Sequence, residues 1–301
     1  MMDPKTYTNS VQVLALCKFA GVGPRLFEAL FSRYGTLNAL LGASKASLMS
    51  IDGMTDQRAD KITSASERLV EAEQFEAVLR GREIGICTRF DHDYHPLLYE
   101  LNDPPTLLYV RGRMPEPRRK SVTILGAEDA TAEGLQLTST LAKAFASAGV
   151  QVISSLTGAA DASAHLACKA ANGDSYAILE HGFDHLEQRE QVPLAIDIAH
   201  TGGVISEYAP DAARSEVGLA ESNRLIVGLS HAVVVTKLFH NSERAFDALN
   251  FCNQIGKLAF IVNDSKGGVV ADDVVMARAL AHGAIPFDGT TNVNDIIRSL
   301  V

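Results

Sequence analysis

No apolar run in the 301 residues approaches the ~18–20 needed to cross a bilayer. The opening MMDPKTYTNS has no basic stretch followed by an apolar one, so a secretory signal is not expected and a cytoplasmic location is. Cys17, Cys87, Cys168 and Cys252 lie far apart with no CxxC pair, which argues against a zinc ribbon or a thioredoxin-like motif and for reduced core thiols. Positive charge is in deficit: 27 Lys and Arg stand against 36 Asp and Glu, a formal net charge of -9, so nothing global draws the chain to nucleic acid. What is present is ordinary globular composition, 47% hydrophobic and 21% charged, which excludes disorder, collagen and coiled coil. The length suits two domains, or one large domain with an appendage.

The acidity is local. Residues 1–80 carry nine basic and nine acidic side chains, residues 81–120 seven and six, and residues 121–301 eleven and 21. Between the last two regions, Met114 to Lys120 (MPEPRRK) reads as an exposed basic connector. The first part is helical by periodicity: Val11, Leu14, Ala15 and Phe19, a turn at Gly21-Val22-Gly23-Pro24, then Leu26, Ala29 and Leu30. A similar turn recurs about 32 residues later around Asp52-Gly53-Met54. The repeat looks like paired helix-hairpin-helix motifs, whose turn amides can contact phosphates. A small helical packing or interaction domain is the preferred reading of the same residues, since few cations flank the turns. We set this domain at 1–66 and a second at 67–301, which begins with a linking helix.

Short strands are expected at 84–87 and 107–110. Between them, Asp91, His92, Asp93 and His95 match no standard metal spacing, and a polar turn before an apolar helix is the preferred reading. From 121 on, buried strands at 122–125, 150–153, 176–179, 204–205, 232–235 and 258–262 alternate with helices. Strands apolar on both faces predict an α/β, Rossmann-like, doubly wound parallel sheet, whose ligands bind beyond the carboxyl ends of its strands.

Those ends carry the candidate site. Gly126 follows the first strand and permits close backbone approach. Ser154, Ser155 and Thr157 follow the second as hydrogen-bond donors, and Asp161 and His165 share a helix face, as pocket wall or as helix support. Asn223 and Arg224 precede the strand at 232–235; the planar fork of Arg224 suits phosphate, with an internal ion pair to Glu207 or Glu221 as the alternative. G-x-G-x-x-G and G-x-S-x-G are both missing, against an ordinary NAD enzyme and a hydrolase triad.

Several segments together resemble the DprA/Smf family of DNA-processing proteins. FDHDYHPLLYELNDPPTLLYVRG at 90–112 resembles the family's D-x-x-Y-P-x-x-L…D-P-P entry to the sheet. SVTILG at 121–126 is similar to the strand before its G-S-R, SSLTGAADASAH at 154–165 to S-G-x-A-x-G-I-D-x-x-A-H, and NRLIVGLS at 223–230 to N-R-I-I-A-G-L-S. The resemblance implies a helical (helix-hairpin-helix, SAM-like) domain before an extended Rossmann domain. It further implies single-stranded DNA binding, homodimerisation, and a RecA-type recombinase as partner in uptake (natural transformation) or repair. No cofactor and no catalysis are implied, and the C-terminal winged helix of many members is expected to be absent.

The departures bear on binding. Ala127-Glu128 stands where the family has Ser-Arg, Gly158 takes an arginine position, and Ser242-Glu243-Arg244-Ala245 replaces the start of S-G-S-L-I-T-A. Cations lost from one groove and acids gained predict weakened single-strand binding. That binding would use the N-terminal turns, Arg118, Arg119, Lys120 and Arg224, and Glu128→Arg would strengthen it. The alternatives are a nucleotide-binding sensor, a protein-interaction regulator, and a nucleotide N-glycosidic hydrolase using Glu128, Asp161, Glu180 or Glu207; the last lacks the PGGxGTxxE motif of such enzymes.

Overall fold

The computed structural model describes residues 7–126, 131–186, 191–239, 242–263, 272–288 and 293–300. Contacts divide the chain into two compact units: 1–94 with 102–109, and 95–101 with 110–301.

The first unit contains α1 (Asn9–Leu14), continued by a π-helical turn to Phe19, then α2 (Pro24–Tyr34), α3 (Leu37–Leu41), α4 (Lys45–Leu48), α5 (Asp56–Thr63) and α6 (Leu69–Gly81). It also contains β1 (Gly85–Thr88) and the first half of β2 (Leu107–Gly112). The two turns of the repeat share one device. Gly21 and Gly53 hold φ of 70° and 74°, a region that costs a side chain strain, and each precedes a capped helix start. Pro24 opens α2, and Thr55 Oγ1 accepts from Arg58 N at 3.3 Å to open α5. Leu14, Leu16, Phe27, Leu30, Leu40, Leu48 and Ile62 fill the core. The expected boundary at 66 falls within this unit, because α6 packs on α1 and β1.

In the second unit, β3 (Ser121–Leu125), β4 (Gln151–Ser155), β5 (Ser175–Leu179), β6 (Gly203–Ser206), β7 (Ala232–Val235), β8 (Leu258–Val262) and β9 (Ile285–Phe287) form a parallel array. Its order is β6-β5-β4-β3-β7-β8-β9. The intervening helices are α7 (Ala132–Ser147), α8 (Ala159–Ala170), α9 (Gln191–Thr201), α10 (Glu216–Gly228), α11 (Glu243–Ile255), α12 (Asp273–Ala281) and α13 (Val293–Ser299). Alternate residues of each strand face opposite helical layers. Val122, Ile124, Val152, Ala232 and Val234 pack on Leu137, Leu141 and Phe145 of α7 and on Ala164 and Cys168 of α8. Thr123, pointing the other way, donates Oγ1 to Ile226 O of α10 at 3.0 Å. That bond lets a polar residue sit in a strand buried on both sides.

The sheet is doubly wound as expected. The chain moves outward from β3 through β4, β5 and β6, then returns to the other side of β3 with β7. The order therefore reverses between β3 and β7, and the crevice above their carboxyl ends is where such sheets take ligands. The four cysteines are free; burial pushes the Cys168 and Cys252 thiols up to about 12, consistent with inert core residues.

Candidate nucleic-acid interface

Gly126 ends β3 at this crevice. A Cβ there would lie 2.3 Å from Ala160 Cβ and 3.2 Å from Thr236 Oγ1, so only glycine lets the chain pass over the start of α8. The side of the crevice formed by β4 and α8 is tied together by Asp161. Its carboxylate accepts from Ser155 Oγ, from Thr157 N and Gly158 N at 3.1 Å each, and lies 2.9 Å from Ser154 Oγ. Ser154 Oγ is also 2.7 Å from Ile124 O, so its single proton serves one oxygen at a time. Asp161 is 6% exposed, and its work is to shape the loop before α8. His165 lies behind it, fully buried. Burial lowers its pKa and keeps the ring neutral, with Nε2–H donated to Ser155 O at 2.9 Å. Of the two readings from sequence, helix support describes both residues.

Arg224 also takes its alternative role. It is 7% exposed, and its Nη2 lies 2.5 Å from Glu207 Oε2, so it meets a carboxylate of the same chain where a phosphate was expected. Arg214 pairs likewise with the buried Glu180, Nε to Oε1 at 2.5 Å, while Glu180 Oε2 has no hydrogen-bond partner among the described residues. Tyr208 donates its hydroxyl to Glu221, and burial together with that contact raises the Tyr208 pKa. The carboxylates considered for glycosidic chemistry are thus engaged: Asp161 by three donors and the shared Ser154 hydroxyl, Glu180 and Glu207 by arginines. Glu128 lies outside the described residues, as does Ala127.

The basic connector is not part of this crevice. Lys120 immediately precedes β3, at the amino edge of the sheet, while Gly126 follows β3 at the carboxyl edge; five strand residues separate the edges by about 16 Å. Of the cations expected to serve binding, Arg118, Arg119 and Lys120 therefore lie toward the opposite end of β3 from Gly126. Arg119 is further committed to Asp174 and to Gly149 O, at 3.0 Å from Nη2, whereas Arg118 and Lys120 extend into solvent.

Sequence reasoning named Arg244 only within a departure from the family pattern and gave it no role in the site. In the first turn of α11, its Nη1 donates to Thr157 Oγ1 at 2.9 Å and its Nε to Asn223 Oδ1 at 3.2 Å; Asn223 Nδ2 donates back to Arg244 O at 3.3 Å. One guanidinium thus joins α11, α10 and the loop before α8. The signal lay in reading past β7, the strand beside the reversal, as the other strand ends were read. At the 90–98 turn, a ligand atom from each of Cys87, Asp91 and Asp93 falls within 4.8 Å of the others. The same atoms are satisfied locally: Asp91 Oδ2 accepts from Thr88 N at 2.7 Å, and the thiol donates to Asp93 at 3.7 Å.

The fold and crevice define a class: a doubly wound parallel sheet with a polar, glycine-edged reversal point, in a chain that opens with a tandem helix-hairpin-helix. Residues 85–272 match the family of DNA recombination-mediator protein A and residues 13–68 a SAM-like helix-hairpin-helix tandem; the chain belongs to the DNA recombination-mediator protein A family, the DprA/Smf proteins. It is 28% identical over 263 residues to Protein Smf of Synechocystis, covering 85% of this chain and 66% of that one. It is 30% identical over 162 residues to DNA processing protein DprA of Bacillus subtilis, covering 54% of each. The chain spans about half to two thirds of the length of these relatives. The fold matches DprA of Streptococcus pneumoniae with a TM-score of 0.77 at 17% identity, over 98% of this chain and 99% of that one. Against DprA of Helicobacter pylori the TM-score is 0.60 at 19% identity, over 72% and 96%. No helix of the described residues is long and apolar enough to cross a membrane.

Proposed function

We propose that this chain is a non-catalytic, cytoplasmic single-stranded DNA-binding protein of DNA processing or recombination, with a weakened groove. The Helicobacter pylori relative is described for its single-stranded DNA binding mode, and the fold and family are shared. The observation that carries the weakening is the pairing of Arg224 with Glu207 and of Arg214 with Glu180. A cation already neutralised by its own chain releases few counterions from a phosphate backbone, and that release supplies most single-strand affinity. The test is anisotropy with labelled oligo-dT against duplex of equal length. Single-strand-selective binding at low salt that fades near physiological salt is expected. Equal affinity for duplex, or tight binding that survives high salt, contradicts the reading.

One observation favours a second reading, a nucleotide-binding sensor. A cavity of about 910 Å³ runs beside α8, lined by Ser139, Thr157, Gly158, Ser163, Gln191 and Arg214 among apolar residues, within the size range of small-molecule pockets. Co-purifying nucleotide detected by mass spectrometry would favour it.

We also propose homodimerisation of the Rossmann unit and service to a RecA-type recombinase. Support for the dimer lies on α12 and β9, where Val274, Leu280 and Ile285 are exposed; Phe246 of α11 belongs to the core. Light scattering that gives a monomer at tens of micromolar would contradict the dimer.

A further inference from the structure

Arg244 occupies an electrostatically awkward place. A cation in the first turn of a helix faces the positive end of the helix dipole and is disfavoured unless something negative offsets it. Two of its donors are spent on neutral oxygens, Thr157 Oγ1 and Asn223 Oδ1. The third group, Nη2, is buried and has no hydrogen-bond partner among the described residues. A buried donor on a charged group left unpaired is costly, so the arrangement suits a site that takes an oxygen from outside the chain. A small, partly open cavity adjoins the guanidinium, lined by Leu125, Gly126, Gly158, Ala160, Asp161 and Ala245. Its volume of about 10 Å³ is close to the room needed for one water-sized atom. Asp161, the acid on that wall, has its carboxylate turned to the hydroxyls and amides of its own loop. The position is the crevice between the ends of β3 and β7, where the strand order reverses.

We infer that Arg244 is the anion-holding cation of this crevice, with Nη2 taking one oxygen of a phosphate while Thr157 and Asn223 hold the guanidinium plane. The ligand class is a phosphate, either from a single-stranded nucleic-acid backbone or from a free mononucleotide. The nucleic-acid source rests on the proposed function above; the phosphate contact itself does not. Unlike Arg214 and Arg224, Arg244 meets its neighbours through neutral oxygens, so its charge is left for a ligand.

The test compares wild type with Arg244→Gln, which keeps a polar side chain of similar reach, and with Arg298→Gln, which makes the same change of net charge on α13. The probes are labelled oligo-dT across a salt series, and inorganic phosphate or dTMP in thermal melts. Arg244→Gln should lower oligo-dT affinity about ten-fold to a hundred-fold and reduce the slope of log K against log salt by about 0.7, one phosphate contact, while Arg298→Gln changes neither. If wild type binds no oligo-dT, yet phosphate or dTMP raises its melting temperature and not that of Arg244→Gln, the contact stands and the single-strand reading falls. Unchanged oligo-dT affinity and slope in Arg244→Gln would overturn the proposal and leave Arg244 a brace. So would a wild type that responds to neither oligo-dT nor phosphate.

Discussion

The two edges of the parallel sheet are built on opposite electrostatic plans. At the carboxyl edge, Arg214 and Arg224 are held by Glu180 and Glu207, and Arg244 lies among neutral oxygens. At the amino edge, Arg118 and Lys120 reach solvent, while beneath them His95, His231 and Lys257 lie near one another, their pKa values lowered first of all by burial. Lys257, brought down to about 8, caps α10 by donating Nζ to Val227 O and Gly228 O at 2.9 Å each. The comparison teaches that net charge says little about where an anion can land. An edge with arginines can be electrostatically spent, and an edge with free cations can lie away from the ligand crevice.

The strongest way to break this contrast is Arg224→Ala. Removing one partner of a nearly buried ion pair leaves Glu207 uncompensated, a cost of about 3–5 kcal/mol and a melting temperature lower by about 10 °C. Arg224→Ala/Glu207→Gln should regain part of it. An unchanged melting temperature with lost oligo-dT affinity would return Arg224 to the phosphate site.

Acid should next single out the amino edge. Burial lowers the His95 pKa to about 4 from the usual 6.5. The unfolded chain then binds this proton more readily than the folded one between those values. Stability is fully present above about pH 6.5 and falls as pH drops toward 4, by about 2–3 kcal/mol at pH 4.5. Urea melts at pH 7 and 4.5 of wild type and His95→Gln measure the share of this residue; equal pH dependence in the two would remove His95 from the account.

A smaller effect is expected from Asp161→Asn. An amide has one acceptor oxygen where the carboxylate has two, so the donors from Thr157, Gly158 and the serines are incompletely matched, at about 2 kcal/mol. Urea denaturation measures it, and an unaffected midpoint would mean that the loop is held by other bonds. Smallest of all, Arg118→Gln/Lys120→Gln should leave oligo-dT affinity within about two-fold near physiological salt, because these side chains lie at the other end of β3; a larger loss by anisotropy would join the two edges.

Much of the fold was legible in the sequence because its strands are short, apolar on both faces and bounded by turn residues; the expected strands at 232–235 and 258–262 match β7 and β8 to the residue. The start of α7 is equally local: Thr131 Oγ1 accepts from Gly134 N at 3.3 Å and caps the helix. What escaped was β9, three residues long with Pro286 at its centre, which is tolerated because the strand lies at the sheet edge. The site was less legible. Which of two acids an arginine meets, or whether an aspartate faces a ligand or its own loop, depends on crossovers between distant segments: Arg224 on Glu207, Arg244 on Thr157 87 residues away. Local spacing carries no record of those meetings.

Hydrogen exchange of the full chain with and without saturating oligo-dT at low salt tests most directly where single-stranded DNA is held. The account predicts protection in the loop and first turn over 154–161 and in the first turn of α11 over 243–247, with the connector at 114–120 unaffected. Protection confined to 114–120, with none at the carboxyl edge, would contradict it.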